Sequence, residues 1–244
     1  MRRPIQTVIA GYGLLLFSCS TVGGGPTESI GMPMTTPLRI PMIAEPVTDS
    51  SGTKNYELTL REGTMDFVEG AVTDTWGING DFLGPTIRAN RGDKVAVTVN
   101  NELPEPTTVH WHGMELPGWA DGGPQQLIHP GEERTVEWTI DQPAATLWYH
   151  PHPHKRTGAH VRKGLSGIFI VDDEESPETL PSVYGVNDIP VIVQDRSFNA
   201  GGQFRARRPF GNVVGELGDT ILVNGTVEPY VDVEHAVIRL RLLN

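Results

Sequence analysis

The chain has 244 residues, a formal net charge of −11 and 20% charged residues, and 38% of its residues are hydrophobic. That composition sustains a packed core and excludes bulk disorder, and the acidic balance argues against nucleic-acid binding, which needs surplus Lys and Arg. A single cysteine, Cys19, excludes an internal disulfide framework and a cysteine-based zinc site, while 28 Gly and 20 Pro point to a turn-rich β protein.

Residues 1–19 read as an export signal. Arg2 and Arg3 precede an apolar run over residues 8–17, too short to span a bilayer. The run ends in Leu16-Phe17-Ser18-Cys19, which resembles a bacterial lipoprotein cleavage box and predicts a lipid anchor through Cys19. An ordinary signal with an incidental cysteine is the alternative; a twin-arginine reading of Arg2-Arg3 fits poorly with Pro4-Ile5-Gln6 after it. In either case the expectation is an exported, periplasmic protein. Residues 20–45, rich in Gly, Pro, Ser and Thr, are expected to form a flexible leader, with Met32, Met34 and Met42 scattered in it.

Short alternation dominates the remainder. Tyr56, Leu58 and Leu60 share one face of a predicted strand, as do Val95, Val97 and Val99, and Val136, Trp138 and Ile140. Turn clusters at Asn79-Gly80-Asp81, Asn90-Arg91-Gly92-Asp93 and Pro130-Gly131-Glu132 separate such runs. Residues 167–171 form an apolar run suited to a buried strand, and no segment shows a sustained helical period. The pattern predicts an all-β, Greek-key β-sandwich over residues 46–172. An acidic linker is expected at residues 173–188. Strand-like runs at residues 189–193, 221–223 and 238–242 then begin a second domain, 189–244. That segment is shorter than the roughly 100 residues of a full sandwich, so the chain reads as one complete domain plus the truncated start of a second.

Four of the eight histidines form two His-x-His pairs, His110 with His112 and His150 with His152. Residues i and i+2 of a strand project to one face about 7 Å apart. If the two strands are neighbours, four imidazoles converge, and imidazole is a favoured ligand for copper and zinc. A catalytic zinc takes three protein ligands and a water, so four paired histidines suit a polynuclear site better. His154 extends the run to His-Pro-His-Pro-His and is expected beside the ligands or exposed. His129, His160 and His235 are expected on the surface, and Trp111 and Trp148 are expected to pack around the site.

These residues carry a family resemblance. His110-Trp111-His112-Gly113, Asp121-Gly122-Gly123-Pro124-Gln125 and Trp148-Tyr149-His150-Pro151-His152 resemble the first cupredoxin domain of multicopper oxidases. Residues 141–146 and 155–167 look most like the bacterial periplasmic cuprous oxidase and laccase branch, and the likeness continues through residues 188–195 and 219–225 into the family's second domain. The resemblance implies that His110 serves a type 2 copper and that His112, His150 and His152 serve the paired type 3 coppers of a trinuclear cluster. It places Asp121 where the family has an acidic residue that relays protons to oxygen; a turn-forming Asp before Gly122-Gly123 fits the same position. It further implies dioxygen and a reducing partner, cuprous ion or a phenol, for the full-length enzyme. The family's other cluster histidines and its type 1 copper Cys lie in a last domain that has no counterpart here, so the expectation is an amino-terminal portion inactive by itself. A non-catalytic copper-binding or structural cupredoxin module is the alternative.

Overall fold

The computed structural model describes residues 35–205 and 217–244. The predicted signal, Cys19, and Met32 and Met34 of the leader lie outside the described residues.

The first half of the chain builds two facing sheets. In one, β2 (Val47–Thr48), β3 (Lys54–Val68), β6 (Lys94–Asn101) and β8 (Glu133–Thr139) are neighbours in that order, and β4 (Ala71–Ile78) pairs with β3 as a hairpin. In the other the order is β5 (Ile87–Asn90), β10 (Gly167–Asp172), β9 (Ala145–His150) and β7 (His110–His112). The β3–β6 and β5–β10 pairings are parallel, so both sheets are closed by contacts remote in sequence. Alternation sets the core: Tyr56, Leu58 and Leu60, Val95, Val97 and Val99, and Val136, Trp138 and Ile140 are all buried. They meet Ile87, Trp111, Tyr149, Phe169 and Val171 from the opposite sheet.

The uninterrupted apolar run of β10 has a direct cause. Phe169 and Val171 face the sandwich core, while Ile168 and Ile170 pack on Leu83 and Ile192. Ile192 belongs to β11 (Asp188–Arg196), inside a third sheet ordered β13 (Thr226–Val227), β12 (Thr220–Val223), β11, β15 (Arg239–Leu243). A buried ion network joins the two parts. Arg241 of β15 binds the Asp188 carboxylate twice, at 2.6 and 2.9 Å, and donates to Thr146 Oγ1 of β9 at 3.0 Å. Arg88 of β5 binds Asp172 and reaches Asp188 at 3.4 Å.

One expectation needs correction. Residues 35–45 are not a free leader: β1 (Thr36–Pro37) pairs in parallel with β14 (Pro229–Tyr230), and Leu38 and Ile40 pack on Ile189, Val191 and Val223. The leader's prolines masked the Leu38/Ile40 alternation. The acidic linker is tied down, since Asp173 accepts from the Ala144 N–H at 2.7 Å and the Tyr184 hydroxyl donates to the Pro41 carbonyl at 2.7 Å. A helix, α1 (Thr157–Lys163), follows the second histidine pair; its seven residues are too few to show a period in sequence. Its last carbonyls are satisfied by Arg196 of β11, which donates to Val161 and Arg162. Among the described residues no helix is long and apolar enough to cross a membrane.

Candidate metal centre

β7 and β9 are adjacent and antiparallel, with His110 opposite His150, Trp111 opposite Tyr149 and His112 opposite Trp148. Directly opposed residues share a face, and the face alternates at each step. His110, His112, His150 and Trp148 therefore lie on one side, while Trp111 and Tyr149 enter the core. This corrects the expectation that Trp111 packs around the site: it is 2% exposed and stacks against Trp138 and Tyr149 below the sheet. Trp148 does support a ligand candidate, lying over the His150 ring at 3.9 Å between centroids.

The four sequence-predicted histidines come together. One ligand atom each from His110, His112 and His150 lies within 4.8 Å of the others. The His152 ring follows two residues after the end of β9, 5.5 Å from the His110 ring and 6.0 Å from that of His150. His154 is exposed, as are His129 and His235.

Ring tautomers follow from the partners. His110 Nδ1 lies 2.8 Å from the Asp121 carbonyl and 3.3 Å from its carboxylate, both acceptors only, so Nδ1 carries the proton and Nε2 keeps its lone pair. His150 Nδ1 donates to the Pro151 carbonyl at 2.8 Å and likewise frees Nε2. Such a bond on the far nitrogen is how a ligating imidazole is oriented. Burial pushes the His150 pKa down to about 4, helped by the three neighbouring imidazoles and opposed by the Pro151 bond, so the ring is neutral at pH 7.

A metal fits these donors. His112 Nδ1 and His150 Nε2 stand 3.2 Å apart, close to the roughly 3.3 Å edge of a tetrahedron with metal–imidazole bonds of about 2.0 Å. With no carboxylate in the donor cluster, the soft-to-borderline imidazole set suits copper better than a hard cation.

Other residues escaped the sequence reading. Gln126 accepts from the Gly122 and Gly123 N–H groups and donates to the Gly118 and Trp119 carbonyls, closing the loop that presents Asp121. His160, expected on the surface, is wholly buried on α1, its Nδ1 3.0 Å from Thr107 Oγ1 and its Nε2 2.5 Å from Glu105. Neither position carries a spacing that singles it out.

A polyhistidine floor at the edge of a cupredoxin-like sandwich is the kind of site that suits copper. The multicopper oxidase family profile matches residues 59–176, and the chain belongs to that family. It is 43% identical over 207 residues to the multicopper oxidase mco of Staphylococcus aureus, covering 85% of this chain and 46% of that protein. It is 41% identical over 209 residues to the cell division protein FtsP of Xenorhabdus nematophila, covering 85% and 43% respectively. Its fold matches the crystal structure of a laccase from Pediococcus acidilactici with a TM-score of 0.81 and 42% identity, over 87% of this chain and 46% of that one. The chain thus spans about half the length of the curated relatives it matches.

Proposed function

We propose that this chain supplies the first-domain half of the oxygen-reducing site of a multicopper oxidase. The whole protein would couple one-electron oxidation of cuprous ion or a phenol to reduction of dioxygen, four electrons and four protons giving two waters. The observation that carries the reading is the β7–β9 register, which sets His110 opposite His150 and brings His110, His112 and His150 onto one face, with the His152 ring 5.5 Å from that of His110.

His110 would serve a type 2 copper, and His112, His150 and His152 a type 3 pair. Copper bound there supplies one-electron redox chemistry and a place for dioxygen. The chain's own part is to present imidazole nitrogens, to orient His110 and His150 through carbonyl bonds, and to hold a carboxylate, Asp121, where it can pass protons from solvent. Asp121 is half-exposed and 3.3 Å from the His110 ring, which supports that role. The signal-like residues 1–19 support export, with Cys19 as a lipid attachment point. Cys19, the one cysteine of these 244 residues, falls in the signal-like segment, so the chain by itself is expected not to turn over dioxygen.

A second reading, a non-catalytic copper-binding or structural cupredoxin module, draws support from the likeness to a protein named for cell division, FtsP. Copper titration separates the first reading from a structural module that holds no metal. The chain is expected to take up copper stoichiometrically, and the double variant His110→Ala/His112→Ala to lose that uptake. Unchanged copper content in the variant would overturn the ligand assignment, and dioxygen consumption by the isolated chain would overturn its inactivity.

A further inference from the structure

His152 has a placement problem that the sheet does not solve. β9 ends at His150, so His152 lies beyond the β7–β9 ladder. Pro151 and Pro153 on either side have no N–H to give. On the opposing segment Pro104 and Pro106 impose the same limit before β7. The main chain of Thr107 pairs with Ile128, on the other side, and a side chain makes the connection to His152.

The connection involves six residues. The His152 N–H donates to Thr108 Oγ1 at 2.7 Å. The neighbouring Thr107 hydroxyl donates to His160 Nδ1 at 3.0 Å, and His160 Nε2–H donates to Glu105 at 2.5 Å. Arg156, at the start of α1, grips the same carboxylate with Nε at 3.0 Å and Nη2 at 2.5 and 2.6 Å. The His160 ring is 0% exposed and stands edge-on to Trp76 at 5.1 Å. Both of its nitrogens are engaged, and it stands outside the group of His110, His112 and His150 whose ligand atoms converge.

We propose that His160 is a positioning residue for the metal centre: by tying the segment of Glu105, Thr107 and Thr108 to α1, it sets the distance between His152 and the His110–His150 pair. This inference rests on the reading of the four histidines as copper ligands.

Cupric ion titrated into the full 244-residue chain, with electron paramagnetic resonance of the loaded protein, tests it. His160→Ala and Thr108→Val are each expected to weaken copper binding about tenfold, the lower end of losses seen when supporting residues are removed, and to change the hyperfine splitting. His160→Gln, whose amide can accept from Thr107 and donate to Glu105, is expected to restore affinity to within about threefold and to return the wild-type spectrum. The exposed His129→Ala is the control and should match wild type. Wild-type affinity and spectrum in folded His160→Ala and Thr108→Val would overturn the proposal. If His160→Ala does not fold, Thr108→Val decides alone, because it leaves the buried imidazole in place. Failure of the ligand reading shows separately, as absent copper binding in wild type or undiminished binding in His110→Ala/His112→Ala.

Discussion

The backbone carbonyl of Asp121 is a closer partner of His110 Nδ1 than its carboxylate is, at 2.8 against 3.3 Å. Orientation of His110 therefore depends on the path of the main chain, and the carboxylate is left for other work. Asp121→Asn is expected to change copper affinity by less than about threefold, with an unaltered cupric spectrum. Calorimetric titration checks this; a loss as large as that from removing His110 would mean that the carboxylate holds the ring. A proton-relay role would appear in the dioxygen turnover of the whole oxidase and not in copper content.

Gly122 makes that carbonyl available. Its φ is +74°, and a Cβ there would overlap the carbonyl of Val109, the residue before β7. Gly122→Ala is expected to cost about 1–3 kcal/mol through overpacking and to shift the Asp121 carbonyl off His110. Urea unfolding reads the first effect and copper affinity the second. An unchanged midpoint and affinity would show that the loop moves aside freely.

Acid should destabilise the fold in two stages. Burial holds His160 below its usual 6.5, outweighing the opposing bond to Glu105. Between 6.5 and the lowered value the unfolded chain binds more protons, so this contribution is complete above about 6.5 and declines as the pH falls through that window. For Glu105, burial is the largest single influence and acts upward, but bonds from Arg156 and His160 together hold it below 4.5. Its contribution is lost below about 4.5. Scanning calorimetry from pH 7 to pH 5 should show a drop in Tm steeper in wild type than in His160→Gln by a few degrees. His150 contributes equally to both proteins, and parallel slopes would remove His160 from the account.

Arg241 and Asp188 are both fully buried, with side-chain exposures of 1% and 0%. Arg241→Met leaves Asp188 with only the 3.4 Å contact to Arg88. Stranding a buried charge costs about 3–5 kcal/mol, and the remaining contact places the expected loss near the lower figure. Adding Asp188→Leu should recover part of it, since the stranded charge then disappears. Strictly additive losses in urea unfolding would mean that the pair is not coupled.

Strand faces were legible in the amino-acid sequence because alternation reports burial directly: each residue of the Tyr56, Val95 and Val136 series is in the core. The histidine pairs were legible for the same reason, since His-x-His on a strand has one geometric meaning. Which strands are neighbours was not legible. The opposition of His110 to His150 is a tertiary fact, and only the family resemblance anticipated it. His160 was misjudged because a lone His on a seven-residue helix has no periodic signature, and its partners Glu105 and Thr107 lie more than fifty positions away. Leu38 and Ile40 did alternate, but prolines on either side concealed a segment that packs without being a regular strand.

The parallel pairing of β5 with β10 has a consequence in time. Roughly eighty positions separate Ile87 from its partner Phe169, and such closures are slow because the intervening loop must be ordered before any contact compensates for it. β10 is also the neighbour that aligns β9, and β9 in turn sets His150 against His110. A chain emerging in order therefore exposes His110 and His112 well before their partners are in register. The four-nitrogen arrangement is a late event, so an early ion would meet a single loose pair of imidazoles and not the assembled cluster.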